Sequence, residues 1–176
     1  MQINSIIKES IGGDTKAIKQ LYYAFADEMF SSSFRITNDR QASEDIIQES
    51  FLKSIEKLSS LKEESNYQGW YRRIVINASL AYVKKRLKFD DIKENILITE
   101  EEEDQSWYTN ISFASIKEAI QKLPSRSRTI FSLFALEDYK HSEIAEQLGI
   151  SKSTSKTQYR YAKKLLQIYL AKTYAQ

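Results

Sequence analysis

The chain has 176 residues, enough for one domain of ordinary size or for two small ones with a buried core. It contains no cysteine and a single histidine, which excludes disulfide scaffolds, iron–sulfur clusters, thiol nucleophiles and His-ligated metal sites. We therefore expect no metal, no cofactor and a reducing, cytoplasmic location. Its apolar stretches are far shorter than the roughly 18 residues that a membrane span needs, so we expect no membrane insertion.

Few turn-forming residues and an uneven charge distribution predict the domain organisation. The chain has only four glycines and one proline, too few turn-forming residues for the many turns of a sheet, which favours an all-α fold. Residues 91–112 contain one Lys against seven Asp and Glu, whereas residues 113–176 contain 11 Lys and Arg against five acids. An acidic strip between helical blocks is typical of a solvated linker. We predict two small helical domains, 1–90 and 113–176, joined by an acidic linker over 91–112.

Three amphipathic helices are predicted in the first domain, where they can close a bundle of three or four helices. Asp14 is the expected N-cap of the first, and apolar residues recur behind it at three- and four-residue spacing. Asn38 and Gln41 resemble a capping box at the start of the second, which ends near Ser59. The buried stripe of this second helix is Ile47, Phe51, Ile55 and Leu58, and its outer face carries Glu44, Asp45, Gln48 and Glu49.

The third helix is predicted over residues 68–87 and combines aromatic with basic residues. We expect Trp70, Ile74, Ala78 and Ala81 to point inward and the cations to point outward. Aromatic rings interleaved with cations offer stacking faces for unpaired bases and positive charge for their backbone. The residues that form this pattern are Tyr67, Trp70, Tyr71, Arg72, Arg73, Asn77, Lys84, Lys85, Arg86 and Lys88.

Residues 140–166 have the spacing of a helix-turn-helix. Ala145 supplies a small residue for close helix crossing, Gly149 tolerates positive φ in the turn, and Ile150 is an apolar anchor. Ser151 can cap the second helix. One exposed face of that helix could enter a major groove and contact bases or phosphates: Lys152, Ser153, Lys156, Thr157 and Arg160. The plainer alternative is an ordinary helical hairpin with a lysine-rich solvated face.

Two residues fit the helix-turn-helix pattern less directly. Ser155 stands where the second helix usually turns an aliphatic residue into the core, and its hydroxyl needs a partner there. His141 precedes the motif without an evident set of partners, and we interpret it as a capping or solvated residue.

Three segments in this order carry a resemblance: ASEDIIQESFLKSIEKL, NYQGWYRRIVINASLAYVKKRL and LPSRSRTIFSLFALEDYKHSEIAEQLGIS. The chain resembles bacterial sigma factors of the sigma-70 family, extracytoplasmic-function group. Residues 10–90 resemble region 2, and residues 113–172 resemble region 4. The resemblance implies a transcription initiation factor that binds core RNA polymerase, directs it to promoters and helps to open the duplex. It also implies contacts with the polymerase β′ clamp and β flap, and an anti-sigma factor as partner.

The resemblance assigns roles to particular residues of this chain. In region 2 it implies that Glu44, Asp45, Gln48, Glu49 and Phe51 meet the β′ coiled coil, although Phe51 is equally explained as core. It implies contacts with the minus-ten element by Tyr67, Trp70, Arg72, Arg73, Asn77, Lys84 and Lys85, with Trp70 better explained as core by its stripe. Ala81 stands where the family commonly has an acid, so promoter preference does not transfer from relatives.

In region 4 the resemblance implies contacts with the minus-thirty-five element by Arg126, Arg128, Lys152, Ser153, Lys156, Thr157 and Arg160. Arg126 and Arg128 are equally well explained as surface charges with buried stems. The acids at 100–104 are better explained as solvated chain than as a cation site, and Trp107 and Tyr108 beside them could pack on either domain or on polymerase.

Other functions lack the sequence features that they would require. A helix-turn-helix regulator that does not replace sigma would need a ligand or receiver domain in residues 1–90, and the sequence shows no alternating strands or phosphoacceptor arrangement there. The segment GGDTK lacks the Gly-Lys-Ser/Thr end of a phosphate loop, so we expect no enzyme. A helical protein-interaction module remains open for the first domain alone.

Overall fold

The computed structural model describes residues 3–61, 66–87 and 112–174, and these residues form eight α-helices and no strand. The predicted all-α class is therefore confirmed. The chain divides into two compact units, residues 1–82 and 83–176. The predicted acidic linker lies outside the described residues except for Ser112. Lys88, the acids at 100–104, Trp107 and Tyr108 also lie outside them.

Helices α1 to α4 begin in the first unit. They span Ile3–Ile11 (α1), Thr15–Thr37 (α2), Arg40–Glu56 (α3) and Tyr67–Leu87 (α4), and a short 3₁₀ turn at Leu58–Ser60 follows α3. The predicted cap of α2 is confirmed, because the side chain of Asp14 accepts the N–H of Ala17 at 2.8 Å.

The junction between α2 and α3 differs from the predicted capping box. Asn38 ends α2 in the left-handed conformation (φ 51°), and its N–H donates to the carbonyl of Phe34 at 2.8 Å. The N-cap of α3 is Asp39, whose Oδ1 accepts the N–H of Ala42 at 3.1 Å. Asn is one of the few non-glycine residues that adopt this conformation readily, so it closes one helix and leaves the carboxylate to open the next.

Aromatic and aliphatic side chains of all four helices form the core of the first unit. Leu21 and Met29 of α2, Phe51 of α3 and Tyr71 of α4 are buried together. The rings of Phe51 and Tyr71 meet edge to face with centroids 6.0 Å apart. The hydroxyl of Tyr71 donates to the carbonyl of Ile47 at 3.1 Å, so this buried phenol has a partner.

The predicted inward stripe of α4 is wrong by about one residue. Trp70, Ile74 and Ala78 are half-buried and Ala81 is exposed, whereas the buried positions are Tyr71, Val75, Ile76, Ser79, Leu80 and Val83. Apolar residues occupy both sides of α4, so spacing alone does not choose between them. Ser79 decides the choice in part, since its hydroxyl donates to Ser33 of α2 at 2.9 Å and both serines are buried.

The second unit contains α5 (Phe113–Gln121), α6 (Ser125–Ala135), α7 (His141–Leu148) and α8 (Lys152–Tyr174). Ser112 caps α5 by accepting the N–H of Ser115 at 3.2 Å. One face of α8 packs on α5, with Ala162, Leu166 and Leu170 buried against Ile120. No helix in the described part of the chain is long and apolar enough to cross a membrane.

The turn between α7 and α8 follows the helix-turn-helix prediction. Gly149 adopts φ 66°, a conformation that is strained for residues with a Cβ, and its N–H reaches the carbonyls at the end of α7. Ile144 and Ala145 are buried. The hydroxyl of Ser151 accepts the N–H of Thr154 at 3.0 Å, so the predicted cap of α8 is confirmed.

Candidate functional site

Helix α3 presents the predicted acidic and amide residues together on its outer side. Asp45, Gln48 and Glu49 are exposed, and Glu44 is half-buried. We call these four residues the acidic face. Each acid has a neighbour one turn away: Arg40 donates to Glu44 at 2.9 Å, Gln41 donates to Asp45 at 3.1 Å, and Lys53 lies 3.8 Å from Glu49. Such surface pairs are weak and exchange easily for a partner's charges.

Phe51 and Leu52 have opposite environments although they are adjacent in sequence. Phe51 is 7% exposed and packs on Tyr22, with ring centroids 5.1 Å apart. Phe51 therefore belongs to the core, which was one of its two interpretations in the sequence. Its ring is not available to a partner. Leu52 is 63% exposed and follows Gln48 by one helical turn. Leu52 was not among the predicted site residues, although an apolar residue outside the buried stripe is a usable signal.

Two aromatic residues assigned to base contacts are part of the core. Tyr67 is buried, and its hydroxyl hydrogen-bonds to that of Ser54 at 3.0 Å. Burial raises the pKa of Tyr67 to about 12, with the hydrogen bond from Ser54 acting in the opposite direction. Trp70 is half-buried against the same core, 6.0 Å from the ring of Tyr67. Base stacking on Tyr67 would require its removal from the core, which argues against that assignment.

Arg72 lies in a polar cluster that the sequence did not reveal. Its guanidinium forms an ion pair with Glu28 of α2. The amide of Gln68, one turn earlier on α4, donates to both carboxylate oxygens of Glu28, at 2.7 and 3.0 Å. Glu28 is 44 positions from Arg72, so no local pattern could have found this pair. Arg72 is thus used in part to join α2 and α4.

The remaining residues assigned to the minus-ten contacts are on the surface. Arg73, Asn77, Lys84 and Lys85 of α4 are exposed, and we call them the α4 face. They extend from the second turn of the helix to its end. An exposed amide and three cations along one helix are suited to contacts with a nucleic-acid backbone and with base edges.

The residues predicted to contact the major groove are all exposed on α8. We call them the α8 face: Lys152, Ser153, Lys156, Thr157 and Arg160. They begin immediately after the turn at Gly149 and the cap at Ser151. The N-terminal turns of a recognition helix are the part that reaches base edges in helix-turn-helix proteins.

Arg126 and Arg128 have different environments in the structure. Arg126 is half-buried at the start of α6, whereas Arg128 is 4% exposed. The guanidinium of Arg128 donates to the carbonyl of Leu123 at 2.8 Å and to the hydroxyl of Ser125 at 3.1 Å. Burial lowers the pKa of Arg128 from its ordinary value. This placement argues against a phosphate contact, because the side chain satisfies the end of α5 and the start of α6 instead.

His141 and Ser155 form a pair, which corrects the interpretation of His141 as a capping or solvated residue. His141 is half-buried at the first position of α7, and its Nδ1 lies 2.9 Å from the hydroxyl of the fully buried Ser155. Its ring stacks on Phe134 of α6 at 4.1 Å. The hydroxyl of Ser155 therefore has the partner that its position requires.

No group of three His, Asp or Glu side chains that could hold a metal ion occurs within residues 3–61, 66–87 and 112–171. The described surfaces are instead an acidic helix face in one part of the chain and basic helix faces in others.

Comparison with known families matches both parts of the chain. Residues 21–89 match Sigma-70 region 2, and residues 113–166 match Sigma-70, region 4. The RNA polymerase sigma factor SigV of Bacillus subtilis is 26% identical over 147 residues, covering 82% of this chain and 86% of the relative. The ECF RNA polymerase sigma factor SigW of the same organism is 25% identical over 170 residues, covering 89% of this chain and 90% of the relative.

Two solved structures share the fold. The chain is similar to the sigma factor RpoE in its complex with the anti-sigma factor NepR from Bartonella quintana, with TM-score 0.51, 20% identity and coverage of 89% of this chain and 98% of that one. It is also similar to CnrH in its complex with the cytosolic domain of CnrY, with TM-score 0.52, 17% identity and coverage of 96% of both chains.

Two helical units with the region 2 and region 4 sequences, in that order, define a sigma factor. The chain belongs to the sigma-70 family and, within it, to the extracytoplasmic-function group. The predicted function is confirmed in these terms: the protein is a transcription initiation factor, and the regulator that does not replace sigma is not favoured.

Proposed function

We propose that the acidic face of α3 docks this sigma factor on the β′ clamp of core RNA polymerase. The exposure of Asp45, Gln48 and Glu49 on one side of a capped helix supports this role. Leu52 adds an exposed apolar group one turn from Gln48, and interfaces combine such an apolar contact with a charged surround. Phe51 supports the face from beneath, as part of the core.

The α4 face contacts the minus-ten element in this proposal. Arg73 and Asn77 reach bases or phosphates of the melted strand, and Lys84 and Lys85 contact its backbone. Trp70 and Tyr67 fix the helix on which these residues stand, since both pack into the core of the first unit.

The α8 face reads the minus-thirty-five element, with its first turns in the major groove. Lys and Arg donate to guanine or phosphate, and Ser153 and Thr157 contact either. Arg126 is a candidate phosphate contact at the start of α6, and Arg128 is not. The single observation that carries this part is that every residue of the α8 face is exposed beyond a confirmed turn and cap.

Each part of the chain has a role in this proposal. Residues 1–90 act as the polymerase and minus-ten domain, residues 91–112 as an acidic linker, and residues 113–176 as the minus-thirty-five domain that also meets the β flap. An anti-sigma factor is the proposed inhibitor, supported by the two similar sigma factors whose solved structures are complexes of that kind. The protein works in the cytoplasm, where the polymerase is, and has no catalytic activity of its own.

The test of docking reverses the charge of the acidic face. Glu44→Lys, Asp45→Lys and Glu49→Lys together should abolish co-elution with sigma-free core polymerase, because like charges would then face a basic partner. A matched variant carries Glu9→Lys, Asp27→Lys and Glu118→Lys, three exposed acids outside α3. It should bind as the unaltered chain does. Equal binding by both variants would remove the docking assignment.

The test of function is transcription in vitro from a genomic library, with sigma-free core polymerase and the purified chain. New start sites that depend on the chain are expected, and the variant with a reversed acidic face should give none. Transcription that persists with that variant would contradict the proposed mode of docking.

A further inference from the structure

Ser155 and His141 join the two helices of the helix-turn-helix through a polar contact inside an otherwise apolar crossing. Ser155 is fully buried in the first turns of α8. Its hydroxyl lies 2.9 Å from Nδ1 of His141, the first residue of α7. The neighbouring positions Lys152 and Lys156 belong to the α8 face. The pair therefore links the start of α7 to the turns of α8 that carry the α8 face.

Side chains of two neighbouring helices, α6 and α8, hold the imidazole ring. Phe134 of α6 stacks on it with centroids 4.1 Å apart and planes 12° apart. Tyr159 of α8 meets it edge on at 5.7 Å and also contacts Phe134 at 4.6 Å. The ring is thus clamped between α6 and α8, while its nitrogen bonds to Ser155. A side chain held by both of these helices has a fixed geometry relative to the α8 face.

The charges around His141 oppose its protonation in the free protein. Its pKa lies below the ordinary value because of burial, then of Lys156 and then of Lys152. The positive end of the α7 dipole acts in the same direction, since His141 is the first helical residue. At the start of α7, Lys140 precedes His141 in the chain. The carboxylate of Glu143 accepts the backbone N–H of Lys140 at 2.8 Å. The side chains that pack on the ring from α6 and α8 are the aromatic rings of Phe134 and Tyr159.

We propose that His141 is a positioning residue for the recognition helix and that a bound DNA duplex favours its protonated form. This inference rests on the proposed contact between the α8 face and DNA. Phosphates bound by Lys152 and Lys156 offset the two cations that oppose protonation in the free chain. The contact with Ser155 survives, because an imidazolium Nδ1–H donates to the hydroxyl oxygen.

The coupling has a defined sign. If binding of the duplex favours proton uptake at His141, then a proton on His141 must favour binding of the duplex by the same factor. Affinity for the duplex is therefore higher at a pH below the pKa of His141 than above it, and the ratio of the two affinities equals the ratio of the two acid dissociation constants.

The test uses the full chain, whose single histidine gives one assignable Cε1–H signal in a ¹H–¹³C spectrum. This signal is titrated from about pH 5 to about pH 8.5, free and with a mixed-sequence DNA duplex of about 20 base pairs at low salt. Fluorescence anisotropy measures affinity for the same duplex at both ends of the range. We expect a higher pKa of His141 in the bound state and roughly threefold tighter binding at the acidic end.

Variants separate the charge effect from a general loss of structure. Lys156→Gln should raise the pKa of His141 in the free chain, whereas the matched Lys164→Gln on the same helix should leave it unchanged. His141→Gln should flatten the pH dependence of duplex affinity. Ser155→Ala should weaken binding of the duplex, because it removes the contact that positions α8.

The possible results distinguish the inference about His141 from the proposed contact between the α8 face and DNA. Duplex binding with an unchanged or lowered pKa of His141 would overturn this inference alone, and so would equal effects of Lys156→Gln and Lys164→Gln. Absence of duplex binding, or binding that is insensitive to Lys156→Ala and Arg160→Ala, would overturn the proposed role of the α8 face and this inference with it. The measurement on the unaltered chain needs no variant to fold.

Discussion

The hydroxyl of Tyr82 donates a hydrogen bond of 2.7 Å to Oδ2 of Asp39. The other carboxylate oxygen of Asp39 caps α3 by accepting the N–H of Ala42. One side chain thus fixes the start of the helix that carries the acidic face and holds it against α4, 43 positions later. The two proposed interaction helices of the first unit share this one anchor.

Loss of this anchor should destabilise the first unit more than loss of a cap alone. Asp39→Ala should lower the free energy of unfolding by about 2 kcal/mol, because it removes a cap and a charge-assisted hydrogen bond. Asp14→Ala, which removes only the cap of α2, should cost about 1 kcal/mol. Urea denaturation followed by the fluorescence of Trp70, in a Trp107→Phe background, measures both. Equal losses would contradict the double role of Asp39.

Phe51 and Leu52 should separate folding from docking. Phe51→Ala should cost about 3 kcal/mol or more of unfolding free energy, because it leaves a cavity between Tyr22 and Tyr71. Leu52→Ala should change stability by less than about 0.5 kcal/mol, since the side chain is exposed. Its expected effect is weaker binding to core polymerase, measured by co-elution. Undiminished binding would exclude Leu52 from the interface.

The Glu28–Arg72 ion pair should contribute more to stability than a pair on the open surface. Both side chains are about one-third exposed, and Gln68 also donates to the carboxylate. Glu28→Gln should lower the free energy of unfolding by about 1 kcal/mol, with a smaller effect at high salt. Glu49→Gln is the matched control, because its pair with Lys53 is longer and well exposed. Urea denaturation of both variants at two salt concentrations makes the comparison.

Arg128 and Arg160 should have opposite phenotypes. Arg128→Ala should destabilise the second unit by about 2 kcal/mol, because the buried carbonyl of Leu123 loses its donor. Arg160→Ala should leave stability unchanged but weaken duplex binding and lower its salt dependence, since an exposed cation of the α8 face is lost. Denaturation and a salt titration of binding measure the two effects. A changed salt dependence in Arg128→Ala at retained stability would restore its phosphate contact.

The second unit should lose stability on mild acidification. The pKa of His141 is lower in the folded chain than in the unfolded one, so the unfolded state binds more protons between the two values. Stability should therefore fall as the pH drops through the unfolded value of about 6.5 and stop falling below the folded pKa. His141→Gln should show no such step. The measurement follows the amide signals of Ile144 and Ala145 during urea denaturation at several pH values.

Local sequence determined the framework of the helices. The caps at Asp14 and Ser151 and the turn at Gly149 were predicted, because each involves groups only three or four residues apart. The exposure of Asp45, Gln48 and Glu49 and of the α8 face also followed from helical periodicity. The predicted capping box at Asn38 was wrong, because Asn38 ends α2 and the adjacent Asp39 is the N-cap of α3.

Contacts between distant residues were decided by the tertiary structure. The orientation of α4, the burial of Tyr67 and Arg128, and the pairing of Glu28 with Arg72 depend on which helix faces which. Arg128 was predicted as a DNA contact, and only the packing of the second unit shows that its side chain is buried and donates to the carbonyl of Leu123.

By itself, the sequence determined the helical class and the residues on the two outward faces, because periodicity, capping and composition are local properties. The order of the two regions followed from the resemblance of three sequence segments to a known family. Only the tertiary structure decided which of the predicted cations are exposed and that His141 is the hydrogen-bond partner of Ser155. The physical reason is that a buried polar group needs a hydrogen-bond partner, and the packing of the helices determines which residue is close enough to be that partner.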